Sequence, residues 1–361
     1  MTQRFQKYAV CVICARPRRN TPEEQGLDPK IPSEIDYNVK ETFPAVKSVL
    51  VVRNGYVVFE NYYRGYDRSD HHHVFSVTKS VTSALVGVAL KEVRIKSLDQ
   101  RLPEFFPEHF GPGTDPRKRQ ITVENLLTMT NGFRQGSFYN DKGFEQILSS
   151  DDVVEASIGQ PMAKEPGEEF NYNDGDAHLL SAILTKTTGQ SALAYAHENL
   201  FRPLGIDSDP DASMQAADPA NFRRFKQAGF VWADDGQGNS VGGFGLKLTA
   251  RDMAKIGYLY LQDGSWEGRQ IVPRRYVRTS TREQVETGDG AVGYGYFWWT
   301  REVEGYRAFF AAGYDGQRIY VIPELDLVAV IVAEEPGRVG IASEDTDLLI
   351  DYDVVPAVED E

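Results

Sequence analysis

Val74-Phe75-Ser76-Val77-Thr78-Lys79-Ser80-Val81-Thr82-Ser83-Ala84-Leu85-Val86-Gly87-Val88-Ala89-Leu90 is where the chain changes its period. Upstream, Ser48-Val49-Leu50-Val51-Val52-Arg53, then Asn54-Gly55, then Tyr56-Val57-Val58-Phe59 reads as a hairpin, because Asn-Gly accepts the positive φ angles of a tight turn. Beyond Val74, residues Val77, Val81, Ala84, Leu85 and Val88 fall on one helical face, which predicts a buried helix with Ser76 near its start. Lys79 is the only charge in this stretch before Lys91. An ionisable group among small, apolar and hydroxyl side chains needs a physical reason.

Outward from that helix, the middle of the chain reads as mostly helical. Thr122 opens a helix through Leu126 and Leu127, and His178 to Thr187 forms another that Gly189 closes. Ala192 to Leu200 is similar, and Thr249-Ala250-Arg251-Asp252 has the form of a capping box ahead of Met253, Ile256 and Tyr260. Strand character returns in Tyr294 to Thr300, Arg307 to Ala312, Gln317 to Ile322 and Leu327 to Ala333, with a terminal helix around Asp345 to Tyr352. Strands at both ends and helices between them predict an α+β (α/β) fold in which the two ends join in one antiparallel sheet covered by helices. We expect one domain over 1–361, with an α/β lobe at about 1–70 and 285–361 and a mostly helical lobe at about 75–280.

Composition narrows the function. Hydrophobic residues make up 41% of the 361, enough to form a core, so disorder is not expected. A net charge of -14, from 39 basic and 53 acidic residues, gives no attraction for nucleic acid or anionic lipid. No run approaches the ~20 apolar residues of a spanning helix. The apolar stretch Tyr8 to Ala15 is followed by Arg16, Arg18 and Arg19 without a small-residue cleavage pattern, so a cytoplasmic protein is expected. Cys11 and Cys14 form a lone C-x-x-C whose apolar neighbours favour two small hydrophobes over a redox or zinc pair.

Three elements carry chemistry. Ser76-Val77-Thr78-Lys79 places a hydroxyl and an amine three residues apart, on one face of a helix. A serine hydroxyl needs a base, and lysine serves as one when burial and positive charge, such as a helix N-terminus, lower its pKa. By itself the pattern is read more simply as a serine cap followed by a solvated lysine. The second element, Phe170-Asn171-Tyr172-Asn173-Asp174-Gly175-Asp176, is a turn-prone segment that can present Tyr172 beside the amine as a proton shuttle. The third, Phe309-Phe310-Ala311-Ala312-Gly313-Tyr314-Asp315-Gly316-Gln317, is an apolar strand running into a turn, where Gly313 would admit substrate close to the backbone. The amides of Tyr314 and Ser76 could then share an oxyanion.

Taken in order, these residues resemble the serine β-lactamase and penicillin-binding-protein superfamily, in particular the branch with class C β-lactamases, related carboxylesterases and 6-aminohexanoate-dimer hydrolases. Beyond Phe75 to Lys79, the likeness takes in Ser97-Leu98-Asp99, Ile121-Thr122-Val123-Glu124-Asn125-Leu126-Leu127-Thr128-Met129-Thr130, Leu179-Leu180 and Leu248-Thr249-Ala250-Arg251-Asp252-Met253-Ala254. The resemblance implies an acyl-enzyme mechanism with Ser76 as nucleophile, Lys79 as its base or proton relay and Tyr172 as partner acid/base. It also implies oxyanion amides at Ser76 and Tyr314, substrate contacts at Asn173, Asp174 and Gly313, and a sheet with flanking helices beside a helical lobe. Two departures bear on substrate. Ala311-Ala312-Gly313 has neither the lysine nor the histidine that opens the third motif of β-lactamases and peptidases, which removes an anchor for a substrate carboxylate. Asp174 stands where asparagine is usual and exchanges a donor for an acceptor. The expected reaction is hydrolysis of a small ester or amide, with no cofactor, no metal, and neither nucleic acid nor membrane as a partner. The alternatives are a β-lactamase or D-alanyl peptidase, or a non-catalytic sensor module of the same fold.

Three other features compete. Gly238-Asn239-Ser240-Val241-Gly242 matches the G-x-S-x-G of α/β-hydrolases but lacks the strand before and the helix after it. His71-His72-His73 suits a strand end better than a metal site, since successive side chains of an extended segment point opposite ways. Trp232, Trp298 and Trp299 are read as packing residues. No coiled-coil seam or exposed stripe points to an oligomeric state.

Overall fold

The computed structural model describes residues 20–134, 147–210, 212, 214–216, 221–334 and 346–359; Cys11 and Cys14 lie outside them. The expected hairpin is formed by β1 (Val46–Arg53) and β2 (Tyr56–Tyr62), turning on Asn54 (φ 52°) and Gly55 (φ 79°), the left-handed pair that Asn-Gly tolerates. Two short strands, β3 (His72–His73) and β4 (Val231–Trp232), flank β5 (Leu246–Leu248) in a three-stranded sheet. A small hairpin, β6 (Ser265–Trp266) with β7 (Arg269–Gln270), precedes the C-terminal strands. Those are β8 (Val285–Glu286), β9 (Gly293–Tyr294), β10 (Trp299–Val303), β11 (Tyr306–Gly313), β12 (Gln317–Ile322) and β13 (Leu327–Ala333).

The two ends of the chain meet in one eight-stranded antiparallel sheet, ordered β2-β1-β13-β12-β11-β10-β9-β8. The seam is β1 against β13, from Ser48 opposite Val332 to Arg53 opposite Leu327. Both faces of the sheet are covered, so its central strands are buried along their length: β13 is apolar throughout, and β12 is continuously hydrophobic from Ile319 to Ile322 instead of alternating with polar residues. Ile319, Val321, Val328 and Val330 face one core together with α2 (Val77–Lys91) and α5 (Ala250–Leu261). Tyr320, Ile322, Ala329 and Ile331 face the other, against Ile31, Ile35 and Val39 of α1 (Ile31–Glu41) and the C-terminal Leu349, Ile350 and Val354. Gly257 lets α5 lie close on the sheet, since a Cβ there would stand 2.7 Å from both Ile319 and Val328 side chains.

Two further helices position the site. α3 (Val123–Leu127) opens on the expected Thr122, whose hydroxyl accepts from the Asn125 amide while Asn125 Oδ1 accepts from the Thr122 amide. α4 (Asp174–Thr188) starts four residues before the expected His178, because the Asn173 side chain accepts from the Asp176 amide and so caps the helix there; Gly189 ends it at φ 76° as expected. Tyr294 to Thr300 is not one strand. It splits into β9 and β10 across a turn in which Phe297 has φ 61°, and at Gly295 any Cβ would strike the Ser280 carbonyl at 2.1 Å. The capping box at Thr249 and Asp252 is present. Among the described residues, no helix is long and apolar enough to cross a membrane.

Candidate active site

Ser76 sits at the hinge between β3 and α2, following Phe75, whose φ of 46° is a left-handed conformation that costs a bulky residue about 1–3 kcal/mol. Ring contacts hold Phe75 in place, with His73 at 3.8 Å and Tyr314 at 5.5 Å between centroids. The Ser76 hydroxyl makes no capping bond to α2. It accepts a hydrogen bond from Lys79 Nζ at 3.0 Å instead, and Ser76 itself is half-buried while Lys79 is 1% exposed.

The amine has two further acceptors. Lys79 Nζ donates to Asp174 Oδ1 at 2.5 Å and to the Gly243 carbonyl at 3.0 Å. An ammonium has three protons and no lone pair, and here each proton has an acceptor. Burial works against the charge, but the negative charge of Asp174, with smaller contributions from Tyr172 and from hydrogen bonds to both, outweighs it and holds Lys79 above the usual lysine range. This corrects the expectation of a lowered lysine pKa: burial acts as expected, and the carboxylate one helix away overrides it.

Tyr172 comes from the segment ahead of α4. The backbone just before it is fixed by Asn171, whose amide donates to the Met129 carbonyl at 2.8 Å and whose Nδ2 donates to the Phe133 carbonyl at 2.9 Å. Lys79 Nζ lies 4.8 Å from the centre of the Tyr172 ring, and Trp299 stacks on that ring at 5.6 Å. Three chain segments therefore converge on one ammonium, with Asp174 95 and Gly243 164 residues along the chain from Lys79.

Glycines make the convergence sterically feasible. A Cβ on Gly243 would lie 2.4 Å from Asp174 Oδ1, and one on Gly242 would meet the Ala177 carbonyl at 1.9 Å. Thr82 Oγ1 donates to the Gly242 carbonyl at 2.8 Å, tying the same loop to α2. Gly313, expected to admit substrate, ends β11 in an extended conformation, and its Cβ would stand 2.3 Å from the Val74 carbonyl. The absent side chain thus lets the third segment press against the backbone that carries Ser76. This contact places the Ser76 and Tyr314 backbones on adjoining segments.

Ser76, Lys79 and Tyr172 come together, with Gly313 and Tyr314 beside them. Asn173 and Asp174 serve other ends. Asn173 Oδ1 caps α4 and Nδ2 donates to the Asn171 carbonyl at 2.9 Å, which uses both ends of the amide, and Asp174, 2% exposed, is turned to Lys79. Two contributors escape a reading of the sequence. The Gly243 carbonyl is foreshadowed only by the glycine run Gly242-Gly243-Phe244-Gly245, and Trp299, expected to be a packing residue, lies against the Tyr172 ring. Ser240 is 2% exposed, with its hydroxyl accepting from the Leu193 amide and its carbonyl from Ser181, so G-x-S-x-G here is interior structure. His72 and His73 form β3 against β5, and His73 Nε2 accepts from the Gly245 amide at 3.1 Å.

Compared with known proteins, residues 43–353 match the Beta-lactamase family. An uncharacterized protein of Alkalihalophilus pseudofirmus is 23% identical over 319 residues, covering 81% of this chain and 86% of that protein. An octameric penicillin-binding protein homologue of Pyrococcus abyssi superimposes with a TM-score of 0.66 at 21% identity, over 91% of this chain and 78% of the other. EstCE1, a hydrolase with promiscuous acyltransferase activity, superimposes with a TM-score of 0.65 at 17% identity, over 84% of this chain and 92% of the other. At such identities the structural likeness establishes the fold.

Proposed function

The chain belongs to the beta-lactamase family, and we propose that within it the chain is a serine hydrolase that takes a small ester or amide through an acyl-enzyme intermediate. The observation that carries this reading is Lys79 Nζ donating to Ser76 Oγ at 3.0 Å while lying 4.8 Å from the Tyr172 ring. Ser76 Oγ attacks the carbonyl carbon and loses its proton to the Lys79–Tyr172 pair, which returns a proton to the departing alcohol or amine. Water then attacks the acyl group and regenerates Ser76. The backbone amides of Ser76 and Tyr314 bind the oxyanion in both steps.

The third motif directs the choice of substrate. Ala311 and Ala312 bring no cation to the position that anchors a substrate carboxylate, so uncharged esters and small amides are favoured over β-lactams or D-alanyl peptides. The likeness to EstCE1, a hydrolase with promiscuous acyltransferase activity, supports the acyl-enzyme part of this reading, since an acyl-enzyme can pass its acyl group to water or to another acceptor. The test is hydrolysis of p-nitrophenyl acetate and butyrate, a short amide and a chromogenic cephalosporin by the parent and by Ser76→Ala. The esters should be cleaved fastest, and Ser76→Ala should lose at least about a thousandfold. Equal rates in parent and variant would remove Ser76 from the chemistry.

A further inference from the structure

Arg318, on the central strand β12, is a buried cation outside the catalytic cluster. It is 4% exposed, and an arginine so far from water needs partners. Its register places it opposite Ala312, next to the Gln317 and Gly313 pair that closes the β11–β12 hairpin. From there Nη1 donates to the Gly313 carbonyl at 3.2 Å and to the Gln317 carbonyl at 3.0 Å, while Nε donates to Asp347 Oδ1 at 2.7 Å. Asp347 opens the short C-terminal helix Asp347–Leu349, whose Leu349 packs on the face of the sheet turned away from α2.

One peptide unit joins this cation to the site. The Gly313 carbonyl and the Tyr314 N–H belong to the same planar trans peptide, so they point in opposite directions, and fixing one aims the other. A charged donor on the carbonyl also polarises the unit and strengthens the bond its N–H can give. We propose that Arg318 is a positioning residue that holds the Gly313–Tyr314 peptide with its N–H turned to the oxyanion, and that Asp347 holds Arg318 in turn. This role rests on the serine-hydrolase reading above, which gives the Tyr314 amide its task, and adds to it a group that never touches substrate. Arginine suits the position because its rigid fork serves two carbonyls and a carboxylate together, whereas a lysine ammonium is a compact point donor. The bond to the oxyanion strengthens as charge builds on the substrate oxygen, so a loosened peptide lowers kcat more than it raises KM.

A neighbouring pair supplies the control. Arg301 of β10 also ties the sheet to the C-terminal segment, with Nη2 donating to Asp351 Oδ1 at 2.6 Å, but its Nε donates to the Tyr320 hydroxyl at 3.0 Å and not to the third segment. The first test is nuclear magnetic resonance of protein labelled with 13C at glycine carbonyls and 15N at tyrosine, which selects Gly–Tyr peptides; the Gly313–Tyr314 signal is assigned by its loss in Tyr314→Phe. Its carbonyl resonance should move upfield in Arg318→Met and stay in Arg301→Met. An unmoved carbonyl in Arg318→Met would overturn the proposal without reference to activity.

The second test is p-nitrophenyl butyrate hydrolysis together with inhibition by phenylboronic acid, whose adduct with Ser76 carries a tetrahedral oxyanion. Arg318→Met should lower kcat about tenfold or more with KM changed less than about threefold, and should weaken the boronic acid by a similar factor. Arg318→Lys should recover part of the loss, and Asp347→Asn should lose less than Arg318→Met; these two carry the comparison if the methionine variant does not fold. Arg301→Met should keep kcat within about threefold of the parent while losing stability in urea. Equal kcat losses in Arg301→Met and Arg318→Met, or a loss confined to KM, would reduce Arg318 to a structural ion pair and overturn the assignment. A parent that neither cleaves the ester nor binds the boronic acid would overturn the hydrolase reading, and the oxyanion role with it, even with the carbonyl shift as expected.

Discussion

On the two sides of Ser76 the chain buries basic groups in opposite charge states. Upstream, His72 and His73 of β3 are imidazoles whose desolvation, reinforced by Lys47 and Lys247 for His72 and by Lys247 for His73, pushes them down to about 4 and about 3. Downstream, Lys79 is more deeply removed from water, at 1% exposed, yet is held as an ammonium above its usual range. The difference lies in the partner. His73 accepts from a backbone amide, an interaction that requires a lone pair, and Lys79 donates to a carboxylate. A short stretch of chain thus contains both outcomes of burying a base, and the neighbour selects between them.

The sharpest way to break this contrast is to remove the cation. Lys79→Met leaves Asp174 buried without its charge partner, which should cost about 3–5 kcal/mol of stability in urea denaturation and abolish ester hydrolysis. Adding Asp174→Asn to that variant should recover most of the stability and none of the activity, giving a strongly non-additive double-mutant cycle. Additive losses would mean that the pair is not coupled.

Acid should act on the upstream side. Both histidines have folded-state pKa values below the ordinary 6.5, so their neutral forms favour folding above pH 6.5. That contribution is lost as pH falls from 6.5 towards 4 and 3, at up to about 1.4 kcal/mol per pH unit for each histidine. Unfolding free energies measured from pH 7 to pH 5 should fall accordingly, and His72→Gln should flatten the slope by about one proton's worth.

A second carboxylate on α4 sharpens the comparison from the acid side. Asp176 is fully buried, accepts from Asn131 Nδ2, and among the described residues faces no cation like the one that faces Asp174; burial raises its pKa well above the usual carboxylate range. A raised acid favours folding at low pH and loses that contribution as pH rises. Asp176→Asn should therefore be more stable than the parent at pH 8, by about 1–2 kcal/mol, with the gap closing towards pH 4. The smallest effect belongs to the cap: Asn173→Ala should lower stability by about 1 kcal/mol through the Asp176 amide it leaves unpaired.

Much of this is legible in the sequence, for reasons that differ by residue. The hairpin, α2, α3 and the β11 to β13 strands rest on local signals: Asn-Gly, a 3.6-residue apolar period, a Thr cap, and short apolar runs between turns. Ser76 and Lys79 share one turn of one helix, so their meeting needs no tertiary information. Tyr172 and Gly313 require the resemblance, since nothing local says that either segment reaches Ser76. What escapes is non-local. Asp174 looks like a substrate contact as long as α4 is expected to start later, and the Asn173 cap moves it into the first turn, facing Lys79. The Gly243 carbonyl has no side chain to announce it, and the strand expected across Tyr294 to Thr300 breaks because Gly295 packs on the Ser280 carbonyl.

One covalent event underlies the whole of the proposed chemistry. Rapid-quench mass spectrometry of the protein mixed with p-nitrophenyl butyrate, followed by peptide mapping, should show one butyryl group on the peptide containing Ser76, forming and decaying at the rate of turnover and missing from Ser76→Ala. Ester cleavage without an adduct on that peptide, or with the butyryl group on another side chain, would contradict it.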